Sequence, residues 1–350
     1  MPTSTHPLHP QVGLLLCSQF VAGDDPVARF EEQLEQVRLV REAGFGSVFA
    51  SQHYLAHPFQ YLHPLPVLAR IIPELGGMRI GTAISLLALP SPVDLAEQVA
   101  TLDILSNGRM TLGVGLGYRD VEFSAFGMGR TGRLSRYLEN LELVRALWTQ
   151  DRVTFSSEHA TLDDVPVALR PVQRPHPPIW MAAHTEKAIR RTARMGLPWV
   201  AAAAHVDEEH LARQVAVYRE ESAAQLQEDP DLPLLQEVYV APTEELALEV
   251  VRRSLSIKYQ AYAQWGQDQV LPESQSFDKE FDELRKGRFL IGDPRGVLER
   301  IRRLQAVARP TQLLLRMQWP GMTQQETISS MELFAEEVLP HLDWTPHPRS

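Results

Sequence analysis

Three short stretches combine residue types that could do chemistry. Ser51-Gln52-His53-Tyr54 follows the apolar run Ser47–Ser51, which reads as a buried strand, so His53 sits at a strand end. An imidazole there titrates near neutrality and can give or take a proton, although a lone histidine in such a place is more often a structural hydrogen-bonding residue. Gly113-Val114-Gly115-Leu116-Gly117-Tyr118 ends a second apolar run with glycine at alternate positions. Missing side chains there let the backbone approach a flat ligand, or simply relieve crowding between strands. Ala182-Ala183-His184-Thr185-Glu186-Lys187 puts small residues and a hydroxyl before a helix. The free N–H groups of a first helical turn favour an anion, and Thr185 equally suits a plain N-cap. Metal chemistry has no spacing to support it: His57 and His63 flank a proline-rich loop rather than one face of a helix. The glycines of 113–117 also lack the third member that a dinucleotide fingerprint requires before its helix.

The elements that must carry these residues alternate along the whole chain. Apolar strand-like runs fall at Gln11–Cys17, Ser47–Ser51, Arg79–Leu86, Met110–Gly115, Pro178–Ala182, Trp199–Ala203, Gln236–Val240 and Gln312–Met317. Helical periodicity separates them, at Phe30–Ala43, Pro66–Ile72, Pro92–Leu105, Leu134–Trp148, Thr185–Met195, Glu208–Leu226, Glu244–Trp265 with Arg295–Ala306, and Gln325–Leu339. Buried parallel strands need helical crossovers on both faces, so the pattern is that of a (β/α)8 TIM barrel or an open doubly wound sheet, and periodicity leaves the two open. Two segments interrupt the alternation. Val153–Pro171 reads as a hairpin-like insertion after the helix that follows the fourth strand, with a turn at Asp163-Asp164. Residues 266–290 form a long insertion between the seventh and eighth strands, polar and helix-poor near Gln267-Asp268-Gln269, then charged and helical around Phe281-Asp282-Glu283-Leu284. Long insertions of this kind are commonly lids. No linker divides the chain, which reads as one domain spanning 1–350 with a frayed tail at 341–350.

From Gly81 to Tyr118 the chain runs through a Gly-Thr-Ala strand, a proline at the next helix, and a Leu105-Ser106-Asn107-Gly108-Arg109 turn before the glycine mouth. With Phe126-Gly127, Arg174–Trp180, Thr185, Gly196-Leu197-Pro198 and Ile291-Gly292-Asp293-Pro294 in the same order, this resembles the bacterial luciferase-like flavin-dependent monooxygenase family over roughly residues 10 to 342. The resemblance implies the barrel rather than the open sheet. It makes His53 the catalytic residue, with Gln52 where many relatives have an acid and Tyr54 where they have a second His, leaving His53 an amide rather than a carboxylate beside it. It implies a cis peptide at Ala83-Ile84 behind a flavin ring, a cofactor wall of Gly115, Leu116 and Tyr118, and a phosphate site at Ala183, His184 and Thr185. Relatives that use flavin mononucleotide (FMN) often carry an Arg where Leu116 stands, so Arg119, Tyr118 or Lys187 must compensate. Phe20, Phe59, Tyr61 and Trp319 are placed to ring a mainly apolar substrate pocket.

The implied activity is oxygenation of an aldehyde or ketone by reduced FMN and dioxygen through a flavin hydroperoxide, with the flavin reduced by a separate NAD(P)H reductase and 266–290 closing over the site. A deazaflavin coenzyme performing hydride transfer is the alternative that Leu116 keeps open, and a non-catalytic flavin-binding protein is a third. Bulk properties agree with a soluble enzyme: 34 Lys and Arg against 44 Asp and Glu give a net charge of −10, a poor match to nucleic acid or an anionic membrane. The single cysteine, Cys17, suits a reducing, cytoplasmic setting. Apolar residues Leu65, Val67, Leu68, Ile71 and Ile72, with Leu95, Val99, Leu102 and Leu105 on the following helix, suggest that these two helices join a homodimer.

Overall fold

The computed structural model describes residues 9–129, 131–224 and 231–344. Eight of its strands form a closed parallel barrel: β1 (His9–Leu16), β2 (Phe45–Ala50), β3 (Arg79–Leu86), β4 (Met110–Gly115), β5 (Ile179–Ala182), β6 (Trp199–Ala202), β7 (Pro233–Val240) and β8 (Gln312–Arg316). Pairing of β6 with β7 and of β8 with β1 closes the circle, so the open-sheet reading is ruled out. Helices α1 (Pro26–Glu42), α2 (Pro64–Ile71), α3 (Pro92–Leu105), α4 (Arg133–Thr149), α5 (Glu186–Arg194), α6 (Glu208–Ala223), α7 (Glu244–Gln264), α8 (Pro294–Ala308) and α9 (Gln324–Glu337) lie between the strands.

The strands read as unbroken apolar runs because both of their faces are covered. Leu15, Phe49, Ala83, Trp180, Val200 and Leu314 form one cluster in the barrel lumen, with Phe49 and Trp180 stacked 4.9 Å apart between ring centroids. Intervening residues such as Leu14, Leu16, Val48 and Leu313 join the larger core beneath the helices. Local chemistry sets the helix starts: Asp25 accepts the N–H groups of Val27 and Ala28 ahead of Pro26, which begins α1 four residues before its apolar periodicity does. Thr323 and Glu326 form a reciprocal capping box at α9.

Four expectations change in detail. The hairpin exists as Arg152–Ser156 paired with Thr161–Pro166, but its turn lies at Ser157–Ala160, where the Ser157 hydroxyl accepts from the N–H groups of His159 and Ala160. Asp164 sits instead within the second strand, its N–H donated to Thr154. The insertion at 266–290 is helical at Phe281–Leu284 as expected, but is less irregular than expected near Gln267-Asp268-Gln269. It contains helical turns at Gln267–Val270, Glu273–Gln275 and Phe281–Leu284, then a short strand Leu290–Gly292 beside β7. Phe277, Phe281 and Leu284 bury themselves against Val251, Leu255 and Tyr259 of α7, so a charged stretch hides an apolar face. At the C-terminus Leu342 is buried and Trp344 packs on the core, while 345–350 of the tail lie outside the described residues.

The fourth change concerns the apolar faces of α2 and α3. Leu68, Ile71 and Val99 are fully buried within the single chain, and Leu65, Val67, Leu95 and Leu102 are nearly so. Most of the apolar pattern on these helices is thus used inside the chain, while Leu105 and its neighbour Ile104 stay 55% and 44% exposed on α3, and the homodimer is left as an expectation. No described helix is long and apolar enough to cross a membrane.

Candidate active site

The C-terminal ends of the strands surround a cavity of about 250 Å³. One wall is Ala83 and Ile84 at the end of β3 with Gly115 to Tyr118 after β4, and the Ala83–Ile84 peptide is cis. Glycine at 115 leaves room for the Ile84 side chain, whose Cδ1 would lie 2.6 Å from a Cβ at that position and would have to shift. At Gly113 the same space is taken by the Thr82 carbonyl oxygen, 2.1 Å from a built Cβ, so that glycine serves close packing of β3 on β4 rather than a ligand. Ala182 to Thr185 and Ala188 line the cavity beyond β5. Thr185 borders the cavity, and its hydroxyl caps α5 by accepting the Ala188 N–H at 3.3 Å.

His53 lines the same cavity from the end of β2. Its Nδ1 lies 3.1 Å from Glu122 Oε1, and the Glu122 side chain is completely buried. The carboxylate that the motif around His53 lacks is thus supplied by Glu122, from a short helix, Asp120–Ala125, after β4. This replaces the expectation of an amide neighbour. Gln52 instead ties strand ends together, its Oε1 accepting the Leu86 N–H at 2.7 Å and its Nε2 2.8 Å from His63 Nε2. With Glu122 accepting at Nδ1, the neutral tautomer carries its proton there, and Nε2 is left for reacting molecules. Burial holds the His53 pKa below the ordinary histidine value, with Glu122 opposing that shift. The rings of Tyr61, Tyr118, Tyr262 and Trp265 enclose it at centroid distances of 5.2 to 6.2 Å.

Arg119 is spent on this arrangement. It donates to Glu122 at 3.3 Å and to the carbonyls of Tyr54 and Leu55, and lies over the Trp265 ring at 4.1 Å. Neither Arg119 nor the exposed Lys187 lines the cavity, so neither takes the place of the Arg absent at Leu116. Arg133, the first residue of α4, does line it, and its Nη1 is buried without a hydrogen-bond partner. The guanidinium lies over the Phe123 ring at 5.5 Å with Nη1 unpartnered, and as part of the same lining as Thr185 and Ala188 it fits a phosphate. Sequence reasoning missed Arg133 because nothing before the fold places the start of α4 at the cavity.

Of the four aromatics expected around a substrate, Tyr61 alone lines the cavity. It belongs to an antiparallel ribbon, Gln19–Val21 with Phe59–Tyr61. Phe59 points at Trp265, with centroids 6.0 Å apart, and Phe20 is buried. Trp319 is buried behind the wall, donating its indole N–H to Glu237 and packing on Tyr239. The rest of the lining includes Leu15, Val200, Leu235 and Val270, together with Glu237 and Arg316, which the sequence did not single out. Gln267 and Val270 bring the inserted segment over the cavity, and the Tyr118 hydroxyl donates to Gln267 at 3.1 Å. His184 and His205 also line the cavity and stack on each other with centroids 5.5 Å apart. Among the described residues no group of His, Cys, Asp and Glu is placed to hold a metal ion.

Comparison with known proteins finds that residues 11–309 match the family model described as luciferase-like monooxygenase. The oxygenase component of the flavin-dependent trigonelline monooxygenase of Acinetobacter baylyi is 23% identical over 333 residues, 89% of each chain. Monooxygenase RslO1 of Streptomyces bottropensis superposes with a TM-score of 0.81 at 25% identity, over 95% of this chain and 99% of its own. The oxygenating constituent of the Pseudomonas putida 3,6-diketocamphane monooxygenase, solved with FMN, gives a TM-score of 0.79 at 18% identity over the same shares.

Proposed function

The chain belongs to the luciferase-like monooxygenase family, and on that premise we propose that it is the oxygenase component of a two-component system, using reduced FMN and dioxygen to oxygenate a small organic substrate of the aldehyde or ketone class. The observation that carries this reading is His53, its Nδ1 held by buried Glu122 and its ring lining a cavity walled by Ala83, Ile84 and Gly115. When bound, the reduced flavin supplies electrons to dioxygen. The chain's own residues do the rest. Ala83, Ile84, Gly115 and Leu116 form a flat wall for the ring, and Arg133 with Thr185 and the first turn of α5 holds the phosphate. His53 moves a proton at Nε2, and the segment 266–290 keeps water from the reacting atoms.

Arg133 supplies a cation for a cofactor phosphate that Leu116 does not, which keeps FMN compatible with the cavity. The relative from Acinetobacter baylyi is itself an oxygenase component, which supports a separate reductase as the source of reduced flavin. The test supplies reduced FMN under labelled dioxygen, or a reduced deazaflavin without oxygen, to a panel of aldehydes and ketones. One labelled oxygen atom in the product with FMN is the expected result. Hydride transfer from the deazaflavin alone would replace the reading with the alternative.

A further inference from the structure

Across the barrel mouth from Ala83 and Ile84, β7 and β8 carry charges that no step above uses. Glu237 and Arg316 are register partners on the last shared rung of these strands, and both line the cavity. Glu237 is fully engaged: its carboxylate accepts from the Lys258 ammonium of α7 and from the Trp319 indole. Arg316 is left with little. Its Nη1 is 3.8 Å from Glu237 and 3.5 Å from the Tyr262 hydroxyl, its Nη2 is 3.4 Å from Ser51 Oγ, and its Nε is buried with no partner. Only 8% of Arg316 is exposed.

Two cations therefore share one carboxylate. Burial pushes Lys258 down to about 8, which still leaves it mostly charged near neutrality. The other groups beside Arg316, namely Tyr61, Tyr262 and Cys17, are all driven upward by burial and offer no anion. A buried positive charge without a matched anion is costly, and a guanidinium pairs best with a planar two-oxygen acceptor. We propose that the β7–β8 wall is a carboxylate-binding subsite, in which Arg316 anchors a substrate that has an apolar body and one carboxylate. Leu15, Val200 and Leu235 supply the apolar surroundings for that body. This refines the substrate class expected above and rests on the reading of the cavity as a flavin oxygenase site, because it assigns the opposite wall to the cofactor.

The test compares benzoate with benzamide and hexanoate with hexanamide, titrated calorimetrically into the full chain with and without FMN. The same titrations are repeated on Arg316→Gln. In the unmodified protein each carboxylate binds about tenfold to a hundredfold more tightly than its amide, the worth of a charge-assisted hydrogen bond. Arg316→Gln erases the difference and leaves FMN affinity unchanged. Equal binding of acids and amides to the unmodified protein overturns the proposal even if the variant does not fold, and so does a preference that survives in Arg316→Gln. A loss of FMN affinity in the variant with no acid preference in the parent assigns Arg316 to the cofactor and likewise overturns it. If FMN does not bind at all but the acid preference stands, the flavin reading fails and the subsite remains.

Discussion

At the scale of single residues, the account turns on one imidazole and one buried carboxylate. His53→Ala should lower oxygenation by about two orders of magnitude or more, the usual contribution of a positioned acid or base, while leaving flavin binding and melting temperature close to those of the parent. Near-normal turnover would remove His53 from the chemistry. Glu122 acts through His53 and is a positioning residue. Its charge raises the His53 pKa against the lowering effect of burial, so Glu122→Gln should move the limb of the pH–rate profile that reports His53 to lower pH. An unmoved limb in a folded variant would show that Glu122 only braces Arg119 and the Tyr54 backbone. That His53 and Thr185 reach the cavity was legible in the sequence, from a strand end and a small-residue run before a helix read together with the family resemblance. Glu122 was not, since nothing local marks one carboxylate of an acidic, six-residue helix as fully buried. Arg133 escaped because it resembles an ordinary helix-start surface charge, and Arg316 because a single charge at the end of an apolar strand run does not show which face of the strand it takes.

At the scale of elements, the inserted segment 266–290 and the glycine mouth meet through one side-chain contact. The Tyr118 hydroxyl donates to Gln267 at 3.1 Å, while Phe277, Phe281 and Leu284 pin the remainder of the segment on α7. Tyr118→Phe should therefore leave global stability within about 0.5 kcal/mol, as expected for a change outside the main core contacts. It should raise the hydrogen peroxide released per flavin oxidised, because water reaches the cavity more easily. Unchanged peroxide release would show that the apolar anchors alone close the site. The sequence exposed this element's position and its helical end at Phe281–Leu284, but not its anchoring: Phe277, Phe281 and Leu284 share one helical face at i, i+4, i+7 spacing, and only the fold brings α7 alongside that face.

At the scale of the whole molecule, the eight apolar runs and the helices between them recur close to their expected bounds, and the family resemblance rather than the periodicity separated the closed barrel from an open sheet. What could not be read was which apolar helix faces are used inside the chain, as the burial of Leu68 makes plain. Folding also leaves a pH signature. His53, His184 and His205 are all held below the ordinary histidine value of 6.5 by burial, His184 at about 4. Between pH 6.5 and about 4 the unfolded chain binds protons that the folded chain refuses, so stability is full above that window and falls as pH drops through it. The slope is at most about 1.4 kcal/mol per pH unit for each histidine. Melting temperatures recorded from pH 7.5 downward should decline, and His184→Gln should flatten the decline. A profile level down to pH 4 would contradict the buried, neutral state of these rings.

The central claim, that the cavity takes FMN with its phosphate toward Arg133 and Thr185, is tested most directly by equilibrium titration with FMN and with riboflavin, which lacks the phosphate. FMN should bind the full chain about tenfold to a hundredfold more tightly than riboflavin, and Arg133→Met should remove most of that advantage without altering riboflavin affinity. Equal affinity for the two flavins, or no binding of either, would contradict the account.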